Sequence, residues 1–172
     1  MNGPRSHNAR RHRDRVTLIG GLADRAELTD LLFRVGACLD EHRFEDLGGL
    51  FVEDGVIVTP GGTARGRAEL VAQASRTHTE FDRLQHVTSN VLVEVEKPEA
   101  DAETDDAATG AVGDRARLRA NLVGSFGYAA DARPARMRGG VCRAQALRTE
   151  DGWRFTELEV RPTWIMESAT QG

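Results

Sequence analysis

The sequence predicts an α+β fold: three N-terminal helices packed on a strongly curved, mixed and mostly antiparallel sheet, forming a cone that encloses an apolar pocket. Apolar residues at helical spacing occur in the first half of the chain, and strand-like segments fill most of the second half. With 172 residues the chain is long enough for one domain with a sizeable core. A sheet curved around its own helices leaves a pocket between the layers, a natural site for a small molecule.

The helices are predicted from the spacing of their apolar residues. The first spans Leu22–Leu39, with apolar positions at 28, 31, 32, 35, 38 and 39. A second, short helix follows, with Phe44, Leu47, Leu50 and Phe51 facing inwards. The third covers residues 66–76, with the sequence GRAELVAQASR.

Strands account for the remaining ordered segments. DGVIVTPGGTARG reads as a strand, a turn at Pro60-Gly61-Gly62 and a short second strand. Further strands are predicted at 84–95, 114–128, 138–148 and 153–163. The stretches ADARPAR and TEDG mark the turns between the last three.

Polar stretches set the predicted limits of the domain. Residues 1–15 are rich in arginine and almost free of apolar residues, which predicts a disordered basic arm. Residues 16–168 form the single domain, and 169–172 are a tail. The acidic stretch at 97–112 predicts a mobile hairpin loop within the domain.

Composition excludes several classes of partner. The net charge of −4 provides no basic field for nucleic acid. There is no apolar run for a membrane span or a signal peptide, which favours a cytoplasmic protein. Cys38 and Cys142 form no CxxC motif and are expected to be buried free thiols.

The strand LQHVTSNVLVEV, residues 84–95, carries an unusual polar row. By strict alternation, His86, Thr88 and Asn90 share one face. Three polar side chains in a row on an apolar strand suggest that this face looks into the pocket. Four valines, at 87, 91, 93 and 95, would then lie on the outer face, where they predict a homodimer through the sheet.

Taken in order, the segments ACLDEHRFEDLGGLFVEDGVIV, GGTARGRAELV, QHVTSNVLVEV and VCRAQALRTEDGWRFTELEVRPTW resemble the SnoaL-like branch of the nuclear transport factor 2-like superfamily. The resemblance extends from Leu22 to Trp164. That superfamily includes polyketide cyclases, scytalone dehydratase, bile acid 7α-dehydratase, ketosteroid isomerase and noncatalytic members. The resemblance therefore implies the cone-shaped fold and frequent dimers, but it does not fix a function.

The resemblance also implies a catalytic pair. Dehydratase members place an aspartate at the end of the first helix and a histidine near the start of the third-strand region, and Asp40 and His86 stand at those positions. A carboxylate beside an imidazole fixes its tautomer and supports acid–base work. The chain departs from the dehydratases at Val35, where they usually carry a tyrosine, and it lacks their second acid.

Other residues are expected to line the pocket. Asn121 aligns nearest to the second acid, and the expected substrate-binding residues are Asn90, Asn121, Tyr128, Arg143 and Trp164. Phe126 is a candidate for its wall. The other histidines show no metal-ligand spacing, and His78 is among them.

The expected function is cofactor-independent acid–base chemistry on a hydrophobic polycyclic or polyketide-type molecule of secondary metabolism: cyclisation, dehydration or isomerisation. The alternative is a noncatalytic small-molecule-binding or dimerisation module of the same fold, favoured by Val35 and the missing second acid. No GxSxG, HExxH, Walker or GxGxxG motif appears, so no metal or organic cofactor is expected.

Overall fold

The computed structural model of the protein describes residues 5–96 and 114–168, and the side chains of the first helix from residue 18 onwards. The helices are α1 (Arg5–Asp40), α2 (Phe44–Gly48) and α3 (Arg67–His78). The strands are β1 (Phe51–Thr59), β2 (Gly62–Arg65), β3 (Arg83–Glu96), β4 (Arg115–Gly127), β5 (Arg136–Thr149) and β6 (Gly152–Glu167). The predicted α+β class and the order of the elements are confirmed.

Helix α1 begins at Arg5, well before the predicted domain boundary at residue 16. The basic arm predicted for residues 1–15 is therefore helical from Arg5 onwards instead of irregular. Arginine and alanine favour helix, and no proline occurs between Pro4 and Pro60 to end it. Residues 1–4, the loop predicted at 97–112 and the tail at 169–172 lie outside the described residues.

The six strands form one sheet in the order β2-β1-β6-β5-β4-β3. Neighbouring strands are antiparallel except β1 and β6, which are parallel, so the sheet is mixed and mostly antiparallel as predicted. The sheet is curved, with the helices packed on its inner face. Within the described part of the chain, no helix has the length and apolar character needed to cross a membrane.

The core lies between the helices and the inner face of the sheet. Leu28 of α1 and Phe155 of β6 are completely buried in it. Phe51 was predicted to end the second helix, but it starts β1 and packs on Phe155 with ring centroids 5.6 Å apart. On β4 and β5 the even-numbered residues face inwards, as the burial of Ala120 and Cys142 illustrates.

A β-bulge divides β3 into two halves with opposite alternation. Its register against β4 shifts between Ser89 and Leu92, and Asn90 adopts a positive φ of 52°. One extra residue reverses which side chains face inwards. Val93 is consequently buried, and Leu92 is 62% exposed.

Because of the bulge, the prediction of a row of four valines on the outer face is wrong. Val91, Val93 and Val95 all pack against the core, because they lie beyond the extra residue. Val87 precedes the bulge and is half exposed, so it alone keeps the predicted position.

A different apolar row crosses the outer face. Val87, Val123, Gly139 and Trp164 are in register across β3, β4, β5 and β6. The indole of Trp164 lies over Gly139, where a Cβ atom would stand 2.1 Å from its Cε2. Only glycine leaves room for the ring at this position, and Trp164 remains 44% exposed.

Candidate active site

The last residue of α1 and the first half of β3 bring Asp40 and His86 together. Nδ1 of His86 lies 2.6 Å from Oδ1 of Asp40, and the backbone N–H of His86 donates to Oδ2 at 2.9 Å. The close approach of the two elements depends on Gly36, where a Cβ atom would stand 3.2 Å from the Cβ of His86. The expected pair is thus in direct contact.

The contact fixes the protonation pattern of the pair. A carboxylate accepts hydrogen bonds, so the proton of neutral His86 resides on Nδ1 and Nε2 carries a lone pair. Burial raises the pKa of Asp40, but the hydrogen bonds from the ring and backbone of His86 outweigh it, and the net effect lowers that pKa. Asp40 therefore stays ionised at neutral pH and stabilises any positive charge on the imidazole.

A cavity of about 160 Å³ lies between the helices and the sheet and is partly open to solvent. Its lining is mainly aliphatic, contributed by α1, α2, α3 and the inner face of the sheet, and it includes Leu32, Val35, Leu70, Leu122, Leu158 and Val160. His86 and Thr88 line it, which agrees with the predicted orientation of that half of β3. A volume of this size holds one six-membered ring.

His78 is a second histidine in the cavity that the sequence interpretation set aside. It ends α3, and its ring centroid lies 5.6 Å from that of His86. Its Nδ1 lies 3.0 Å from the carbonyl oxygen of Ala74, which only accepts, and 2.8 Å from the hydroxyl of Thr77, which donates its own proton to a backbone carbonyl oxygen. Nδ1 therefore carries the proton. Burial lowers the pKa of His78 to about 4, although the hydrogen bond to Ala74 opposes the shift. His78 is thus neutral at pH 7.

The position of His78 has a recognisable sequence signal. It follows Leu70 and Ala74 at intervals of four residues, and both of these are buried. Residues four apart share one face of a helix, so the apolar face of α3 includes His78. The predicted end of the third helix at residue 76 stopped two residues too early to reveal this.

Arg138 also lines the cavity, from the inner face of β5. Its guanidinium carbon lies 5.8 Å from the ring centroid of Phe126. The same ring makes an edge contact with His86, with centroids 5.5 Å apart. Phe126 was expected to wall the pocket and does so.

None of the residues expected to bind substrate lines the cavity: Asn90, Asn121, Tyr128, Arg143 and Trp164. Asn90 is exposed because it belongs to the bulge. Asn121 and Arg143 are odd-numbered residues of β4 and β5, and strand alternation turns them outwards. Tyr128 follows the end of β4 and stacks on Phe81, with centroids 5.4 Å apart.

Trp164 misses the cavity for a separate reason. The pairing of β5 with β6 shifts between Gly139 and Gly140, which stand opposite Trp164 and Pro162. This bulge turns Trp164 onto the outer face, whereas Pro162 lines the cavity.

The departures from the dehydratase pattern fall inside the cavity. Val35 lines it, so an aliphatic side chain occupies the position where the dehydratases usually carry a tyrosine, and Cys142 lines it as well. Burial raises the pKa of the Cys142 thiol to about 12, which leaves it protonated and unreactive at neutral pH. The described residues include no group of three His, Cys, Asp or Glu side chains arranged for a metal ion.

Comparisons with known proteins agree with this architecture. The profile of the SnoaL-like domain matches residues 21–159. None of the curated proteins matches the sequence significantly.

Solved structures share the fold. An NTF2-like protein with a cystatin-like fold from Novosphingobium aromaticivorans is 26% identical, with 95% of this chain and 92% of that chain covered and a TM-score of 0.66. A putative scytalone dehydratase from Novosphingobium aromaticivorans is 20% identical, with coverage of 88% and 92% and a TM-score of 0.67. The hexachlorocyclohexane dehydrochlorinase LinA-type3 from Novosphingobium barchaimii is 16% identical, with coverage of 88% and 94% and a TM-score of 0.68.

Proposed function

The chain belongs to the SnoaL-like domain family, and we propose that it is a cofactor-free acid–base enzyme acting on a small apolar molecule, with His86 as the base. The observation that carries the proposal is the Nδ1 contact of His86 with Asp40 at 2.6 Å inside an apolar cavity. Because Nδ1 donates its proton to Asp40 in this contact, the lone pair of Nε2 is free to accept a proton from the substrate. The side chain of His86 is only 6% exposed, so water competes little for that lone pair.

The chemistry starts with transfer of a proton from carbon to Nε2 of His86. In an elimination, the C–H electron pair forms the new double bond, the leaving group departs with its bonding pair, and the imidazolium returns the proton to it. In an isomerisation, the carbanion is an enolate, and the imidazolium returns the proton to a different carbon. In a cyclisation, the enolate carbon forms a bond to a carbonyl carbon of the same molecule, the π pair of that carbonyl moves to its oxygen, and the imidazolium protonates the resulting alkoxide. Asp40 stabilises the imidazolium in each case, so none of these routes needs a metal or an organic cofactor.

Elimination is the route that the similar structures favour. Two of them have names that denote eliminations, a putative scytalone dehydratase and a hexachlorocyclohexane dehydrochlorinase. Neutral His78 has its proton on Nδ1, bonded to Ala74, so its Nε2 accepts and does not donate. His86 must therefore supply the proton to any leaving hydroxyl, as expected for a site without a second acid.

The shape and lining of the cavity support the proposed substrate class. One ring fits the volume of about 160 Å³, and the remainder of a polycyclic or polyketide-type molecule would extend through the opening. We propose a molecule of secondary metabolism with one reactive ring.

We also propose that two copies pair through the outer face of the sheet. The row formed by Val87, Val123, Gly139 and Trp164 is apolar and partly exposed, which is the composition expected at the centre of an interface. The row replaces the valines that alternation alone would have placed there.

The function is tested with a chromogenic elimination that requires only a base in an apolar site. When a base removes the ring C–H proton of a nitrobenzisoxazole, the electrons form a nitrile and the N–O bond breaks to release a coloured phenolate. The wild type should catalyse this reaction, and His86→Ala should lower kcat/KM by on the order of a hundredfold. His42→Asn is the matched control, because His42 lies outside the cavity and Asn tolerates its positive φ of 55°.

A second assay covers enolisation. Single-ring ketones incubated with the protein in heavy water should exchange their α-protons, and the exchange should require His86. If the wild type catalyses neither reaction above the His86→Ala background, while it still binds such rings, the noncatalytic binding module becomes the correct account.

A further inference from the structure

Arg138, on the inner face of β5, has a hydrogen-bond donor without an acceptor in the part of the chain that the structure describes. The Nε atom of Arg138 is buried and has no hydrogen-bond partner among the described residues. Glu167, a carboxylate whose charge acts on Arg138, is already paired with Arg136 at 3.0 Å. Burying this donor without an acceptor is costly, and the rest of the Arg138 side chain lines the cavity, where a bound anion would offset the cost of placing its charge there.

The sheet register places Arg138 opposite the base. His86, Gly124 and Arg138 are paired across β3, β4 and β5. Directly paired residues lie on the same face, and two strand spacings separate their backbones by about 10 Å. The two side chains therefore flank one segment of the cavity wall from opposite sides.

Phe126 fills the wall between them. Gly124 admits its ring, since a Cβ atom there would stand 2.9 Å from Cε2 of Phe126. Its ring centroid lies 5.5 Å from that of His86 and 5.8 Å from the guanidinium carbon of Arg138, so the two side chains border the same part of the cavity.

The charges in the cavity favour an anionic oxygen at Arg138. Asp40 directs its charge to His86, and His78 is neutral at pH 7. Burial lowers the pKa of Arg138, and the positive charge of Arg136 adds to the effect, so a negative ligand group would relieve an unfavourable situation. An arginine also matches a planar carboxylate or enolate better than a lysine would.

We propose that Arg138 is a specificity-determining residue that binds a negatively charged oxygen of the ligand, so that the substrate is a ring compound bearing either a carboxylate or a carbonyl that becomes an enolate. The assignment of the enolate as a reaction intermediate rests on the proposed function. The binding of a permanent anion does not, and it is measured without turnover.

The first arm of the test is equilibrium binding of benzoate and its neutral isostere benzamide, measured by calorimetry or NMR titration. The wild type should bind benzoate at least tenfold more tightly than benzamide, and Arg138→Gln should abolish this preference without weakening benzamide. Arg138→Lys keeps the charge and should retain part of the preference, which keeps the test informative if the glutamine variant is unstable. Arg117→Gln is the control, because it removes the same charge from an exposed side chain of β4.

The second arm distinguishes a ligand that is already an anion from a substrate whose oxygen becomes negative only during the reaction. If benzoate is not preferred, but Arg138→Gln lowers kcat for the nitrobenzisoxazole at least tenfold with KM unchanged, Arg138 stabilises oxygen charge that appears during the reaction. Equal binding of both probes by the wild type, together with unchanged kcat in the variant, would overturn the proposal. Failure of the proposed function alone would leave the benzoate preference intact and turnover absent.

Discussion

Both oxygens of the Asp40 carboxylate accept a hydrogen bond from His86, one from its ring and one from its backbone N–H. Two donors converge on two acceptor oxygens, so the geometry holds the ring at a fixed orientation relative to β3. The same bonds keep the pKa of Asp40 low in spite of its burial, which preserves the negative charge that an imidazolium needs beside it.

Asp40→Asn removes the negative charge beside His86 while it keeps nearly the same side-chain shape. An amide offers only one acceptor to the two donors of His86, so one bond is lost or the ring changes tautomer. Turnover should fall by on the order of tenfold or more, and nitrogen NMR should show a mixture of histidine tautomers where the wild type shows Nδ1–H. Asp46→Asn, at an exposed ion pair with Arg43, should change neither; equal rates in wild type and Asp40→Asn would remove Asp40 from the mechanism.

His78 should make the protein sensitive to mild acid. Its pKa is about 4 in the folded protein against an ordinary value of 6.5, so the unfolded chain binds more protons between these values. Titration of His78 therefore does not lower the free energy of unfolding above about pH 6.5, and it lowers that free energy progressively as the pH falls from 6.5 towards 4. Relative to His78→Phe, which cannot titrate, the wild type should lose about 2 kcal/mol of unfolding free energy between roughly pH 7 and pH 5. Urea unfolding at both pH values measures this difference, and parallel losses in the two proteins would contradict it.

At the scale of elements, the contact between α1 and β3 sets the active-site geometry. Gly36→Ala should press on the Cβ of His86, which lies 3.2 Å from the position of the new methyl group. The two elements must separate by a few tenths of an ångström, and turnover should fall several-fold. Gly20→Ala on the same helix meets nothing within 4 Å, so it should stabilise the protein by about 0.5–1 kcal/mol and leave turnover unchanged. Turnover and thermal unfolding of both variants decide the matter, and identical turnover would show that this contact does not control the site.

The elements themselves were predictable, because apolar periodicity and turn residues are local signals. The pair formed by Asp40 and His86 came from resemblance, and the sequence also placed His86 and Thr88 on the inner face. Alternation failed at Asn90 and Trp164, where one extra residue in a strand reverses the faces without changing its composition. No local sequence pattern predicts such a bulge, because the bulge depends on pairing with the neighbouring strand.

His78 and Arg138 were missed for a different reason. Each obeys the periodicity of its own element, at four-residue spacing on α3 and at even positions on β5. In the sequence, a polar residue at an inward position is taken to lie at the edge of the core. The fold shows instead that these two side chains face a cavity.

For the whole molecule, the outer apolar row predicts a dimer. Val87 is 50% exposed and Trp164 is 44% exposed, so glutamate at both positions should leave the fold intact but bury charge in the interface. Light scattering at micromolar concentration should give twice the chain mass for the wild type and the chain mass for the double variant. Leu18→Glu, at an exposed position of α1, should remain dimeric. A monomeric wild type would refute the interface.

The proposed chemistry depends on an imidazole acting as a base between the helices and the sheet. Chemical rescue examines this role of His86: turnover of the nitrobenzisoxazole is measured for His86→Ala with and without added imidazole. Removing the side chain enlarges a cavity that already holds one ring, so free imidazole can occupy the vacant position beside Asp40. We expect a large loss of turnover in the variant, a saturable recovery with imidazole, and no comparable effect of imidazole on the wild type. Turnover in His86→Ala equal to that of the wild type, or a loss that imidazole does not restore in a correctly folded variant, would contradict this role of His86.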